Sequence, residues 1–209
     1  MEATQHHSHS HADPHRDDTA SKIGMWLFIF TEILLFGGLF IVYSVYRFKF
    51  PEAFHIAGEE LNDTIGTINT IILLISSMTV AMSITAIQLN DKKKALIFLY
   101  TTMVLGFVFL VNKYFEWGVK FEHGLYPGSD LLPSLGSGDT MFFGLYFMMT
   151  GLHALHIIAG MTLLGFVIVF IHQGKILSDK FALHENAGLY WHLVDLIWIF
   201  LFPLFYLIH

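Results

Sequence analysis

Residues 141–171 read MFFGLYFMMTGLHALHIIAGMTLLGFVIVFI, a stretch of 31 residues that contains no Asp, Glu, Lys or Arg. The hydrocarbon core of a bilayer is about 30 Å thick, and a helix rising about 1.5 Å per residue needs roughly 20 apolar residues to cross it. As a helix, this stretch would therefore tilt, kink or project from the membrane. Four further apolar runs have spanning length: 23–46, 65–89, 95–115 and 188–208. The sequence predicts an all-α, polytopic membrane protein, a bundle of five transmembrane helices.

The composition excludes several classes of protein. Of the 209 residues, 55% are hydrophobic and 13% charged, and the mean hydropathy is +0.59. This apolar surplus is too large for one soluble core, which excludes a water-soluble globular enzyme. The net charge of −6 leaves no basic footprint for nucleic acid. The absence of Cys from the sequence excludes disulfides, thiolate metal sites, iron–sulfur clusters and covalently attached haem.

The first 21 residues, MEATQHHSHSHADPHRDDTAS, differ from the rest of the chain because they are almost entirely polar. Five of the 13 histidines lie here. Such a segment buries too little surface to offset its ordering entropy, so we predict a mobile, His-rich N-terminal arm over residues 1–21. Weak binding of a divalent metal by the histidines is the alternative to a solvated tail.

The distribution of Lys and Arg predicts the orientation. With five spans, the arm and the second and fourth connections share one side and carry seven Lys and Arg, whereas the other side carries four. The positive-inside rule then places the N-terminus in the cytoplasm and the C-terminus outside.

Glycines interrupt the fourth run at four positions. Glycine allows helices to approach closely, so these positions predict helix–helix contacts rather than lipid contacts. They are Gly144, Gly151, Gly160 and Gly165.

Polar and ionisable side chains inside the spans are the candidate functional residues, because such groups are costly at membrane depth and face protein or water. The candidates are Glu32 in the first span, Lys113 and Glu116 near an interface at the end of the third, His153 and His156 in the fourth, and His192 and Asp195, with the adjacent Trp191, in the fifth.

Three kinds of chemistry fit these candidates. The favoured one is a buried hydrogen-bonded cluster that fixes helix packing, in which His192 and Asp195 share a helix face and His153 or His156 completes the cluster. A proton relay would use Glu32, Asp195 and the histidines in series. Haem ligation would place His153 or His156 opposite His192. We expect Glu32, near mid-membrane, to be protonated or paired with a donor.

Several spaced motifs resemble subunit III of the haem-copper terminal oxidases, the cytochrome c and quinol oxidases. The segment GLHALH at 151–156 is similar to the family's GxHGLH-like helix, and WHLVDLIW at 191–198 is similar to its WHFVDxxW-like helix. MWLFIFTEILLFGG resembles the helix that bears a glutamate, here Glu32, and KYFEWG the helix that ends in a glutamate next to an aromatic residue, here Glu116. TINTIILLISSMTVAMS resembles the remaining helix. The resemblance covers residues 22–209 and corresponds to the five-helix bacterial form, which lacks the first two helices of the animal form.

The resemblance implies a supporting, non-redox role in a proton-translocating terminal oxidase of aerobic respiration. It implies no catalytic residue and no cofactor in this chain, with haem and copper held by subunits I and II. The implied partners are subunits I and II, a small subunit IV and bound phospholipid, in the bacterial inner membrane. It also implies that the chain packs on subunit I and sustains proton uptake and enzyme lifetime.

Alternative functions remain at this point. A quinol oxidase has the same third subunit, and nothing in this chain specifies the electron donor. A free-standing ion transporter would use Glu32 and Asp195, but such transporters often carry an internal repeat and none is evident. A haem-binding membrane reductase would use the histidines.

Overall fold

The computed structural model describes residues 14–176 and 181–207. Within these ranges every regular element is a helix and there is no strand. The helices are α1 (Pro14–Lys49), α2 (Pro51–Glu59), α3 (Asp63–Gln88), α4 (Lys92–Glu122), α5 (Leu132–Leu135), α6 (Ser137–His172) and α7 (Ala182–Phe202), followed by a π-helical turn at Pro203–Leu207.

The five predicted spans are confirmed as long apolar helices, and the differences are at their ends. Of the predicted arm, residues 1–13 lie outside the described residues, and residues 14–21 belong to α1. The short helices α2 and α5 lie in connections and were not predicted. Helix α4 continues to Glu122, seven residues beyond the predicted end of the third span, so Glu116 lies within the helix.

Side-chain caps fix the turn between α3 and α4 and the start of α3. Asn62 accepts hydrogen bonds from the backbone N–H groups of Thr64 and Ile65, and Asp91 accepts one from that of Lys94 at 3.1 Å. The Lys94 backbone N–H holds the pKa of Asp91 below its usual value. Asn90 ends the α3 segment with a φ of 60°, a left-handed conformation that Asn tolerates. The Asn62 and Asp91 caps satisfy backbone N–H groups at the N-terminal ends of α3 and α4.

Helix α7 is the central helix of the bundle and α1 is peripheral. Helix α7 packs against α1, α3 and α6. In the most apolar part of the span that contains α7, 56% of the residues are buried within the chain, whereas in the span of α1 only 6% are. Most of the apolar surface of α1 is therefore left for lipid or for other chains.

Trp191 occupies the middle of the bundle and is fully buried. A Cβ placed on Gly106 of α4 would lie 2.9 Å from its ring, and one on Gly160 of α6 would also lie 2.9 Å away. Glycine at both positions therefore makes room for the indole, which agrees with the contact predicted for Gly160. Gly144 and Gly165 make no such contact among the described residues, since a Cβ there would meet no neighbouring atom within 4 Å.

Candidate functional site: polar contacts inside the helix bundle

Glu32 and His156 form a pair that joins α1 to α6. His156 Nε2 lies 2.9 Å from Glu32 Oε2, and both side chains are mostly buried. His156 Nδ1 lies 2.7 Å from the carbonyl oxygen of Leu152, so Nδ1 must carry a proton and donate it. One further proton lies between Nε2 and Oε2. Either Glu32 carries it, as a neutral acid beside a neutral imidazole, or His156 carries it, as an imidazolium beside a carboxylate. The expected pairing of Glu32 is confirmed, and its partner is His156.

His192 and Asp195 do not form the predicted cluster with His153 or His156. His192 Nδ1 lies 2.6 Å from the hydroxyl of Ser77 on α3. Asp195 is 3% exposed, and neither carboxylate oxygen has a hydrogen-bond partner among the described residues. The prediction was wrong because spacing along α7 places two side chains on one face but does not specify the neighbouring helix. That neighbour is α3, not α6.

His153 packs as an aromatic ring. It is buried and stacks on Trp198 with ring centroids 5.2 Å apart, and the Phe109 ring meets it edge-on at 5.5 Å. Neither ring nitrogen has a hydrogen-bond partner among the residues described. His153 and His156 therefore lie in different environments, although they are three residues apart.

The fourth polar group, which we call the Lys113 cluster, consists of Lys113, Glu116, Tyr146 and Tyr206. Lys113 Nζ lies 3.1 Å from Glu116 Oε2, and it also donates to Tyr146 and Tyr206 at 3.2 and 2.9 Å. Both tyrosine hydroxyls donate to Glu116 Oε1. The cluster joins α4, α6 and the final π-helical turn, and its charged atoms are buried. A buried ion pair of this kind persists because its remaining donors and acceptors are also satisfied.

A row of hydroxyl groups on α3 bonds to side chains of α7. Besides Ser77 with His192, Trp191 Nε1 donates to Ser76 at 3.0 Å and Trp198 Nε1 donates to Thr70 at 3.0 Å. His184 Nε2 lies 2.8 Å from the hydroxyl of Ser83. Aromatic and imidazole N–H groups inside a membrane need such partners, so this row fixes the height of α7 against α3.

Sequence reasoning missed the serine and threonine partners and the two tyrosines. Thr70 and Ser77 are seven residues apart, and so are Ser76 and Ser83. This repeat is the signal that would have indicated one polar face of α3. Within the described part of the chain, no group of three or more His, Asp or Glu side chains is arranged to hold a metal ion.

The chain matches the family described as cytochrome c oxidase subunit III over residues 1–209. It is 31% identical to cytochrome c oxidase subunit 3 of Thermostichus vulcanus, over 97% of this chain and 91% of the relative. It is 27% identical to the cytochrome bo(3) ubiquinol oxidase subunit 3 of Pseudomonas aeruginosa, over 96% of this chain and 90% of that relative.

A third relative, heme-copper oxidase subunit I+III of Aeropyrum pernix, is 32% identical over 90% of this chain, which spans only 22% of that longer protein. These matches agree with the five long apolar helices and with the order of the motifs on them. The chain belongs to the cytochrome c oxidase subunit III family.

Proposed function

We propose that this chain is the non-redox third subunit of a haem-copper oxidase of the cytochrome c type, in which it packs on subunit I and sustains proton uptake and enzyme lifetime during oxygen reduction. In this proposal haem and copper are held by subunits I and II, and a small subunit IV completes the complex. The family match over the whole chain is the observation that carries the proposal.

Association with subunit I is supported by two observations. One relative is named as subunit I and subunit III in a single protein, so the two parts are physically joined there. In this chain α1 leaves large apolar side chains exposed along most of its length, among them Trp26, Leu34, Ile41 and Phe48. A span with so little cover from its own chain suits contact with another subunit or with lipid.

Bound phospholipid is the second part of the proposal. A groove of about 440 Å³ runs along α1 between Phe40, Ile41, Ser44, Val45 and Phe48. Its walls are almost entirely apolar, so it suits an acyl chain rather than a polar ligand.

The proposed location is the bacterial inner membrane, with the N-terminus in the cytoplasm. The five apolar helices support a multi-pass membrane protein. The orientation depends on the excess of Lys and Arg on the N-terminal side, to which Lys92, Lys93 and Lys94 contribute most.

A quinol oxidase is the alternative, because relatives include a ubiquinol oxidase subunit 3 at a similar identity. The copper content of subunit II in the purified complex distinguishes the two, since a copper centre in subunit II indicates cytochrome c as the donor.

The supporting role is tested by preparing the oxidase with and without this chain and following oxygen consumption during continuous turnover. We expect a similar initial rate with an unchanged haem spectrum, and a shorter active lifetime without the chain. Equal lifetimes would refute the supporting role, and loss of the haem spectrum would show that the chain holds the redox centres in place.

A further inference from the structure

A cavity of about 440 Å³ opens between α1, α3 and α7 at the end of the bundle where α1 enters and α7 begins. Its mouth carries Lys22 and Glu185, whose charged atoms lie 3.8 Å apart. Asn186 also lines the cavity and donates a hydrogen bond to Ser21 at 2.8 Å. The mouth is therefore polar and contains charges of both signs.

The cavity also has a polar inner end, formed by His192. This residue lies seven positions after Glu185, or about 10 Å further along α7. Its Nδ1 is occupied by the contact with Ser77, which leaves Nε2 without a hydrogen-bond partner among the described residues. The walls between the two ends are apolar and consist of Trp26 of α1, Ala81 and Ile84 of α3 and Leu189 of α7. The ionisable groups that line the cavity are Lys22 from α1 and Glu185 and His192 from α7.

Asp195 lies one helical turn beyond His192 and needs a hydrogen-bond partner. The residue is 3% exposed, and neither carboxylate oxygen has a hydrogen bond to the described residues. The Ser77 hydroxyl, which bonds to His192, also lies beside this carboxyl group. Buried polar groups that lack a protein partner are commonly satisfied by internal water when the site is polar and roomy enough. Ionisable groups at membrane depth commonly face such water.

We propose that this cavity is filled with water rather than lipid, and that it gives protons from the N-terminal side access to Asp195 through His192 and Ser77. A hydronium ion in the cavity gives its proton to Nε2 of His192, and Nδ1 gives its own proton to the Ser77 hydroxyl. The Ser77 proton then passes to the neighbouring Asp195 carboxylate. One hydronium and one carboxylate thus become one water and one carboxylic acid. The proposal goes beyond the supporting role of the subunit and does not depend on it.

The absence of Cys from the sequence allows a direct test by single cysteine substitution. Ala81→Cys places a thiol on the cavity wall. The matched control is Leu163→Cys on α6, an exposed apolar position at the same height. Val80 and Ile84, on either side of Ala81, contact α7 at Gly188, which lies three residues before Trp191. Gly160 of α6 contacts Trp191, and Leu163 follows Gly160 by three residues on a helix antiparallel to α7. Ala81 and Leu163 therefore both lie at about the height of Gly188.

The assembled protein in open membrane fragments is treated with a charged, water-soluble thiol reagent, and labelling of this subunit is measured by mass. We expect Ala81→Cys to react at least about tenfold faster than Leu163→Cys, because the thiolate is the reacting form and it needs water. Equal, slow rates would overturn the proposal. So would labelling of Ala81→Cys by an apolar maleimide alone, which would identify the cavity as a lipid groove. Leu189→Cys, also on the cavity wall, replaces Ala81→Cys if that variant does not assemble.

Proton access to Asp195 is measured separately by infrared spectroscopy. The carboxyl band that disappears in Asp195→Asn should shift when the wild-type protein is transferred from H2O to D2O, and Ser77→Ala should slow that shift. A band that stays unshifted in D2O, or an identical rate of shift in Ser77→Ala, would contradict the proposed path.

Discussion

Replacing Glu116 with Ala tests the Lys113 cluster, because it removes the carboxylate that is bonded to the buried Lys113. Lys113 is 2% exposed and Glu116 is 5% exposed. The substitution removes the 3.1 Å contact to Lys113 Nζ and the acceptor of both tyrosine hydroxyls. The hydrogen-bond partners that Lys113 keeps among the described residues, Tyr146 and Tyr206, are neutral. Removing one member of a buried ion pair costs about 3–5 kcal/mol, so we expect the bundle to lose stability on this scale.

The assay is the temperature at which the purified complex releases this subunit, followed together with the haem spectrum. We expect Glu116→Ala to release the subunit at a much lower temperature, with the haem spectrum unchanged before release. Lys94→Met is the control, because its ion pair with Asp91 has similar geometry at 3.0 Å but a lysine side chain that is 69% exposed. Its effect should be small, since exposed pairs contribute little.

The double variant Lys113→Met with Glu116→Leu separates the cost of an unpaired charge from the loss of packing. It should be more stable than Glu116→Ala alone, because it leaves no unpaired charge in the bundle. The reasoning would be refuted if Glu116→Ala were as stable as Lys94→Met, or if the double variant were less stable than Glu116→Ala.

Three further substitutions test other contacts of the bundle. Gly160→Ala should destabilise the subunit by about 1–3 kcal/mol through overpacking, whereas Gly165→Ala, in open space, should not; thermal release of the subunit measures the difference. Ser77→Ala should cost about 1–3 kcal/mol because it leaves Nδ1 of His192 without its hydrogen-bond partner, and the idea fails if release is unchanged. Glu32→Gln should retain the subunit better than Glu32→Ala, since an amide can still donate to Nε2 across the 2.9 Å contact; equal retention of both variants would count against this hydrogen bond.

The five spans could be predicted from sequence because bilayer thickness sets a minimum apolar length that few soluble helices reach. The helix ends could not, since a helix continues into the interface wherever caps or polar contacts support it. Helix α4 shows this, because it continues past the predicted end near residue 115 to Glu122 and is stabilised there by the buried Lys113 and Glu116. The short helix α2 has no apolar run of spanning length to indicate it.

The candidate residues could be listed from sequence, but most of their partners could not. Glu32 was expected to have a donor, yet its partner His156 lies 124 positions away, and only the packing of α1 on α6 brings them together. Lys113 and Glu116 are three positions apart and could have been paired by helical spacing, whereas Tyr206 is 93 positions from Lys113. Asp195 was assigned to a cluster from its spacing to His192, although spacing specifies a face and not the helix that covers it.

The most direct measurement of the central claim is purification of this chain through a C-terminal affinity tag, with the haem absorbance and the subunit composition of the product determined together. Membership in the cytochrome c oxidase subunit III family predicts that a haem-copper subunit I is recovered in equal amount, with its haem spectrum intact. Recovery of this chain as a stable species by itself, free of haem and of subunit I, would contradict the proposed function.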